Sequence, residues 1–369
     1  MILGLNGIRL VVKRSGVARC IEALLRCFGE LEQPFSEIRV YTPEPLADDI
    51  YLPPCAENVV LPSRLPFAGW EQITMPKAHG SKNLLLCPSY VSPVLARCPT
   101  FLIHHGSYEG FPQAFDWLTL NKARMIYSLS AKRATALSTV SEYSKRDMVK
   151  FYGLDPDKIN VVPEGVDTRV FRPFDDQQAL SQWRRGVFGA DHPFIVYVGK
   201  PTERRNLSAL IRAFAELKKE GFPQKLLLVG ASLPGTSPFR RVIEELELQT
   251  EVFVLDYVTH EEMFMVYNAA NLFIYPSSYE GFGMPVLEAM ACGTPLIALD
   301  NTAFPEFAGG IAHLLKDAEV STLKEGMAAV LSDEAWQREM SEKGPRRAAH
   351  YDWHILTRKY LDLMIPLAN

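Results

Sequence analysis

The chain reads as an α/β protein built from two doubly wound parallel sheets, and three observations carry that expectation. Short apolar runs of β-type residues alternate with helical stretches through both halves of the 369 residues. That length suits two domains, each large enough to bury its own core. Between the halves, Pro163-Glu164-Gly165-Val166-Asp167 reads as a linker, following one strand and preceding the next by a long stretch. The expected domains are residues 1–167 and 168–350, with a last helical segment at 351–369.

Composition narrows the function classes. Hydrophobic residues make up 47% and charged residues 22%, which suits a soluble globular enzyme and excludes a disordered chain. The net charge of −4 argues against nucleic-acid binding by electrostatics. The charge is uneven, about +2 over residues 1–170 and about −6 over the remainder. Six cysteines without a C-x-x-C pair, mostly in apolar runs, read as reduced core residues of a cytoplasmic protein. The opening MILGLNGIRLVV lacks a basic leader and reads as a first strand, not a signal peptide. No apolar run is long enough to span a bilayer.

In order, the first strand is Ile2–Leu5, followed by a loop at Lys13–Val17 and a helix from about Ala18 to Leu31. The order strand, glycine loop, helix suits a nucleotide, but no G-x-G-x-x-G is present, which weakens an oxidoreductase reading. Ile38–Tyr41 is the second strand; residues 42–80, rich in proline, read as irregular. Leu84–Cys87 and Thr100–Ile103 are short buried strands, the latter ending in His104-His105-Gly106. Ala114–Lys132 is helical, with Trp117, Lys122, Arg124, Tyr127, Lys132 and Arg133 forming a basic and aromatic surface. Such a surface suits either an anionic membrane or a solvated face with core aromatics. Ala136–Val140 is a strand, and Ser141 caps the helix after it. Asp155-Pro156-Asp157 precedes the strand Ile159–Val162 and reads as a turn, not as a metal-binding pair.

The second half opens with the strand Phe194–Val198. Gly199-Lys200-Pro201-Thr202-Glu203-Arg204-Arg205 follows, with Asn206 as the expected helix N-cap. Three cations ahead of a helix oppose its dipole but suit a phosphate. Leu226–Val229 with Gly230, then Val252–Leu255 with Asp256-Tyr257-Val258, are further strand ends. The most informative stretch is Tyr275–Pro295. There the strand Leu272–Tyr275 gives way to Glu280-Gly281-Phe282-Gly283-Met284 and a helix carrying Pro285 and Val286 in its first turn. Two glycines admit a ligand close to the backbone, and unpaired amides at the helix start favour anions and sugar hydroxyls. Glu280 and Glu288 are both placed to face a crevice at the carboxyl end of a parallel strand. Any strand-to-helix junction can also carry an acid for the helix dipole alone.

Two glutamates spaced this way, within EGFGMPVLEAMACGTP, resemble the E-x7-E element of the retaining family-4 (group 1) glycosyltransferases, which have the two-domain GT-B architecture. IHHGSYEGFP and TVSEYSKRDMVKFYG resemble further stretches of that family, and the likeness extends over nearly the whole chain. The resemblance implies transfer of a sugar from a nucleotide diphosphate donor to an acceptor hydroxyl, with no metal or other cofactor. It implies Glu280 near the donor sugar, Glu288 on the ribose, and Lys200 and Arg205 on the diphosphate. Arg205 takes a position usually held by Lys and Lys200 one often held by Arg, which keeps the charge but alters reach. His104 takes the family's histidine position, with His105 where Asp is usual. Gly16, Gly199, Arg204, Gly230, Tyr257, Val258, Phe282, Gly283, Met284, Pro285 and Val286 complete the implied donor site. The family's last helix crosses back to its first domain.

TERRNL and IHHGSYEGFP look most like bacterial mannosyltransferases of surface-polysaccharide assembly, which makes GDP-mannose the first expected donor, with UDP-, dTDP- and ADP-sugars as alternatives. The expected acceptor is a saccharide or lipid-linked saccharide, with weak association at the inner membrane face. A non-catalytic nucleotide-sugar-binding protein is the competing class.

Overall fold

The computed structural model describes residues 1–11, 16–80, 83–107, 116–231, 238–256 and 258–368. The chain forms two compact units, Met1–Gly165 with Tyr351–Asn369, and Val166–His350. In the first, β1 (Ile2–Asn6), β2 (Glu37–Thr42), β3 (Ala56–Val60), β4 (Leu84–Cys87), β5 (Thr100–His104), β6 (Ala136–Thr139) and β7 (Ile159–Val161) make a seven-stranded sheet. Its order is β3-β2-β1-β4-β5-β6-β7, and every pairing is parallel. The central strands are continuous apolar runs because helices cover both faces; all four residues of β4 and all five of β5 are buried.

In the second unit, β8 (Phe194–Val198), β9 (Lys225–Val229), β10 (Val252–Leu255), β11 (Leu272–Tyr275), β12 (Leu296–Leu299) and β13 (His313–Leu315) are ordered β10-β9-β8-β11-β12-β13. All of these pairings are parallel as well. Strand order reverses between β1 and β4 in one sheet and between β8 and β11 in the other. At such a switch point the loops leave on opposite sides and open a crevice at the carboxyl ends of the strands.

Residues 42–80 are not irregular. They contain β3 and a run of helical turns, Phe67–Gly69, the π-helical Trp70–Thr74 and Met75–His79. The edge strand AENVV escapes a hydrophobicity reading because none of its residues is fully buried. The helix expected at 114–132 runs Trp117–Arg133, capped by Asp116, whose carboxylate accepts the Thr119 amide. Asp155 caps the short turn Pro156–Lys158, so the Asp-Pro-Asp run is a turn.

The helix Trp353–Ala368 belongs to the first unit. It buries Leu356, Tyr360, Leu361 and Met364, and packs against the helix Gly16–Glu30. Tyr360 meets Phe101 edge-to-face at 6.1 Å and donates its hydroxyl proton to the Val162 carbonyl at 3.3 Å. A side chain at Gly165 would lie 2.6 Å from the Trp353 ring, so only glycine fits where the chain leaves the first unit.

Candidate active site

In the second unit the site is assembled from loops following β8, β11 and β12, on either side of the switch point. The β8 loop ends in the single turn Glu203–Arg205, and Asn206 then takes a left-handed conformation, φ 51°. Asn206 does not cap the next helix with its side chain. Its amide instead donates to the Pro276 carbonyl at 2.8 Å and the Ser278 hydroxyl at 2.7 Å. The Ser278 amide donates back to the Arg204 carbonyl at 2.7 Å. The two loops are thereby locked together, and the side-chain amide expected at a cap serves that lock.

Both arginines converge on Glu280. Arg205 Nε lies 3.1 Å from Glu280 Oε1, and Arg204 Nη1 forms an ion pair with the same oxygen. The Tyr275 hydroxyl donates to Oε1 at 2.9 Å, and the Ser277 hydroxyl lies 3.1 Å from it. Burial pushes the Glu280 carboxyl up, but Arg205 and Arg204 outweigh it and hold the group below the ordinary carboxylate range. Its other oxygen, Oε2, takes no hydrogen bond among the described residues, and the side chain keeps 12% of its surface exposed. One oxygen is saturated and the other is available.

Arg205 stacks over the Tyr275 ring at 5.3 Å and also donates to the Lys200 carbonyl at 3.3 Å. Burial pulls its pKa down, but the neighbouring Tyr275 and Glu280 raise it overall, so the cation is permanent. Gly199, at φ 142°, makes room for this guanidinium; a Cβ there would stand 2.3 Å from Arg205 Nη1. Its neighbour Gly230 closes the end of β9, with its amide shared by the Leu255 and Asp256 carbonyls at 2.9 and 3.0 Å. The Lys200 side chain is exposed and has no partner among the described residues. With two arginines against one carboxylate, the cluster keeps a positive excess that suits an anion.

The glycine loop following β11 is pinned by aromatic packing. Gly283, at φ 112°, precedes the helix Met284–Ala291, and a Cβ there would meet the Phe304 ring at 2.8 Å. Phe282 stacks on Phe307, 4.4 Å between ring centres and 19° between planes. Met284 and Val286 are buried in the first turn, with Pro285 half-buried between them. Glu288 lies on that helix, buried at 3% exposure, with Oε2 accepting the Tyr267 hydroxyl at 2.9 Å. No hydrogen-bond partner found for Glu280 is shared by it. Val258 is half-buried at the start of the turn that leads to the Thr259 capping box; Tyr257 lies outside the described residues.

In the first unit, His104 ends β5 fully buried, its ring edge-on to Tyr90, Tyr127 and Tyr152 at 5.2–5.8 Å. Burial, helped by His105, drives its pKa down to about 3, so the imidazole is neutral, and its Nδ1 has no partner among the described residues. His105 is the firmly bonded histidine. Nδ1 faces Glu164 at 2.9 Å and Nε2 faces the Pro88 carbonyl at 3.0 Å. Both ring nitrogens are thus engaged, which fixes the plane of the ring. Gly16 opens its helix as an exposed residue; residues 12–15, in the loop before it, and 108–115, beyond the His104 segment, lie outside the described residues.

Sequence reasoning missed Tyr275 and Ser277, which look like a strand end and a turn, although both donate toward Glu280. It also missed Asn206 as a loop lock and the tyrosines around His104.

Comparison with known proteins gives this architecture relatives. Residues 15–170 match the family described as Glycosyltransferase Family 4, and residues 183–347 match Glycosyl transferases group 1. O-antigen chain mannosyltransferase B of Escherichia coli is 26% identical over 234 residues, 63% of this chain and 61% of that protein. D-inositol 3-phosphate glycosyltransferase of Nocardia farcinica is 32% identical over 220 residues, 56% of this chain and 47% of that one. The chain thus spans about half to three fifths of the length of these curated relatives. A solved sucrose-phosphate synthase from Thermosynechococcus elongatus superposes with a TM-score of 0.80 at 20% identity, covering 99% of this chain and 98% of that one, which is a likeness of fold.

Proposed function

The chain belongs to the family-4 type of GT-B glycosyltransferases, and from that premise we propose that it moves a sugar from a nucleotide diphosphate donor to an acceptor hydroxyl with retention of configuration. The observation that carries the reading is the Glu280 cluster, a carboxylate fixed through one oxygen with the other open, beside cations in excess. The bond between the anomeric carbon and the diphosphate breaks, and the diphosphate leaves with the electron pair. The acceptor oxygen bonds to the same face of the sugar, and its proton passes to the leaving phosphate. Lys200 and Arg205 stabilise the departing charge; a contact of this kind lowers the barrier by about 3 kcal/mol. Glu280 orients the donor sugar through Oε2, and Glu288 takes the ribose hydroxyls. Because side-chain cations supply the positive charge at the leaving group, the reaction proceeds without a divalent metal.

GDP-mannose is the first donor to test, supported by the mannosyltransferase among the relatives. UDP-, dTDP- and ADP-sugars are the alternatives, since the relatives also include a D-inositol 3-phosphate glycosyltransferase. Release of nucleoside diphosphate from GDP-, UDP-, dTDP- and ADP-sugars, with and without chelator, tests class, donor and metal together. Turnover with no donor would overturn the enzyme reading in favour of a nucleotide-sugar-binding protein. Loss in chelator restored by manganese would overturn the metal-free step.

No helix among the described residues is long and apolar enough to cross a membrane. On the helix Trp117–Arg133, however, Trp117, Leu118, Met125 and Leu129 are exposed among Lys122, Lys132 and Arg133. Arg124 on the same helix reaches the Phe151 carbonyl. This composition supports weak, salt-sensitive association with an anionic bilayer and a lipid-linked acceptor, each cation contributing about 1 kcal/mol near the surface. Sedimentation with anionic liposomes at low and high salt tests it, and absence from the pellet at low salt would remove it.

A further inference from the structure

One polar group at the switch point of the first unit has no part in the reaction described above. Glu71 lies in the five-residue π-helical turn Trp70–Thr74, a conformation rarely adopted without local reason. Its neighbours are tied down on both sides. Trp70 is fully buried and donates Nε1–H to the Leu61 carbonyl at 2.8 Å, while Gln72 holds the Ser92 carbonyl and the Val94 amide at 3.1 and 2.9 Å. The turn therefore directs Glu71 to Asn6, the last residue of β1, whose side-chain amide donates to Glu71 Oε1 at 2.8 Å. Arg9, just beyond β1, donates Nε–H to Ser89 beyond β4 at 2.7 Å. Asn6 and Ser89 have no exposed surface, and these two strand ends flank the reversal of strand order.

Glu71 is 5% exposed, accepts one hydrogen bond from a neutral amide, and forms no ion pair among the described residues. Oε2 has no hydrogen-bond partner there. Oε2 is not sealed inside the protein, so it is the part of the carboxylate left open to a ligand. Burial pushes this carboxyl up to about 7, and neither Asn6 nor the charge of Arg9 brings it back. The other titratable group beside it is the Cys87 thiol, itself raised by burial and by Glu71.

We propose that Glu71 Oε2, with Arg9 beside it, binds a hydroxyl of the acceptor, a sugar or similar polyol, in the crevice between the ends of β1 and β4. This rests on the transferase reading and deepens it, assigning to the first unit a specificity residue for the acceptor.

The test uses the full chain and methyl hexopyranosides as probe acceptors, following nucleoside diphosphate release from the donor that is turned over. Glu71→Gln keeps the shape and the contact with Asn6 but cannot ionise. It is expected to lower kcat/KM for the glycoside by about tenfold to a hundredfold, while donor KM shifts by less than about threefold. Wild-type transfer should rise through pH 7 as the carboxyl ionises, and the variant should lose that rise. Unchanged kcat/KM for the glycoside in both Glu71→Gln and Arg9→Met would overturn the proposal, as would a loss shared equally between donor and glycoside. If the wild type turns over no donor, the transferase reading fails separately. Saturation-transfer NMR with the same glycosides then decides on Glu71, which stands only if the variant weakens their contact.

Discussion

Glu280 in the second unit and Glu71 in the first lie beyond the ends of parallel strands where strand order reverses, and both are largely withdrawn from water. Their neighbours make them different reagents. Glu280 receives two guanidinium groups and a tyrosine hydroxyl on one oxygen, and its pKa falls below the ordinary range. Glu71 receives one neutral amide, and its pKa rises to about 7. Burial acts the same way on both; the cations decide the outcome. The fold thus offers a fixed charge in one sheet and a proton-sensitive group in the other.

Four substitutions test that contrast. Glu280→Ala removes the anchored carboxylate and leaves two arginines facing each other, so transfer should fall about a thousandfold. Turnover within tenfold of wild type would mean that the cluster only braces loops. Arg205→Ala should lower kcat about a hundredfold, because the charge it opposes grows during bond breaking. A rise in donor KM at constant kcat would recast it as a binding residue.

The third test is thermodynamic. Glu71 has a folded pKa above its ordinary value of 4.5, so it contributes full stability below that value and loses it as pH rises towards about 7. Glu71→Gln should therefore gain on wild type by about 2 kcal/mol between pH 4.5 and 7, read from denaturant midpoints. A constant difference across that range would show that the group titrates normally. The smallest effect is expected at Glu288, buried like the other two but meeting a neutral tyrosine. Ribose hydroxyls bind alike in the ground and transition states, so Glu288→Ala should raise donor KM about tenfold and spare kcat. A fall in kcat at constant KM would move Glu288 into the chemical step.

The contrast also marks how far the sequence could be read. Strands such as Leu84–Cys87 and Phe194–Val198 were legible because burial on both faces leaves an unbroken apolar run. β3, at a sheet edge, carries no such run. Glu280, Arg204 and Arg205 were visible as charges near glycines following a strand, and family likeness supplied roles for them. Their joining on one oxygen was not visible, since it depends on an asparagine that locks two loops 70 residues apart. Glu71 lay hidden in a proline-rich stretch, where a π-helical turn gives no period to read and its partner is 65 residues distant.

The position of the last helix has a consequence for biosynthesis. Trp353, Leu356, Tyr360 and Met364 complete the core of the first unit, yet the whole of Val166–His350 is translated before them. The second unit has its entire sequence in one uninterrupted piece; the first must wait for its final helix. Order of emergence and order of completion are therefore reversed, and during synthesis the nascent first unit exposes the groove that Tyr360 will fill. Such exposed apolar surface is where chaperones bind and where aggregation starts. Truncation before Trp353 would leave that state permanent, with the second unit still able to assemble its own sheet.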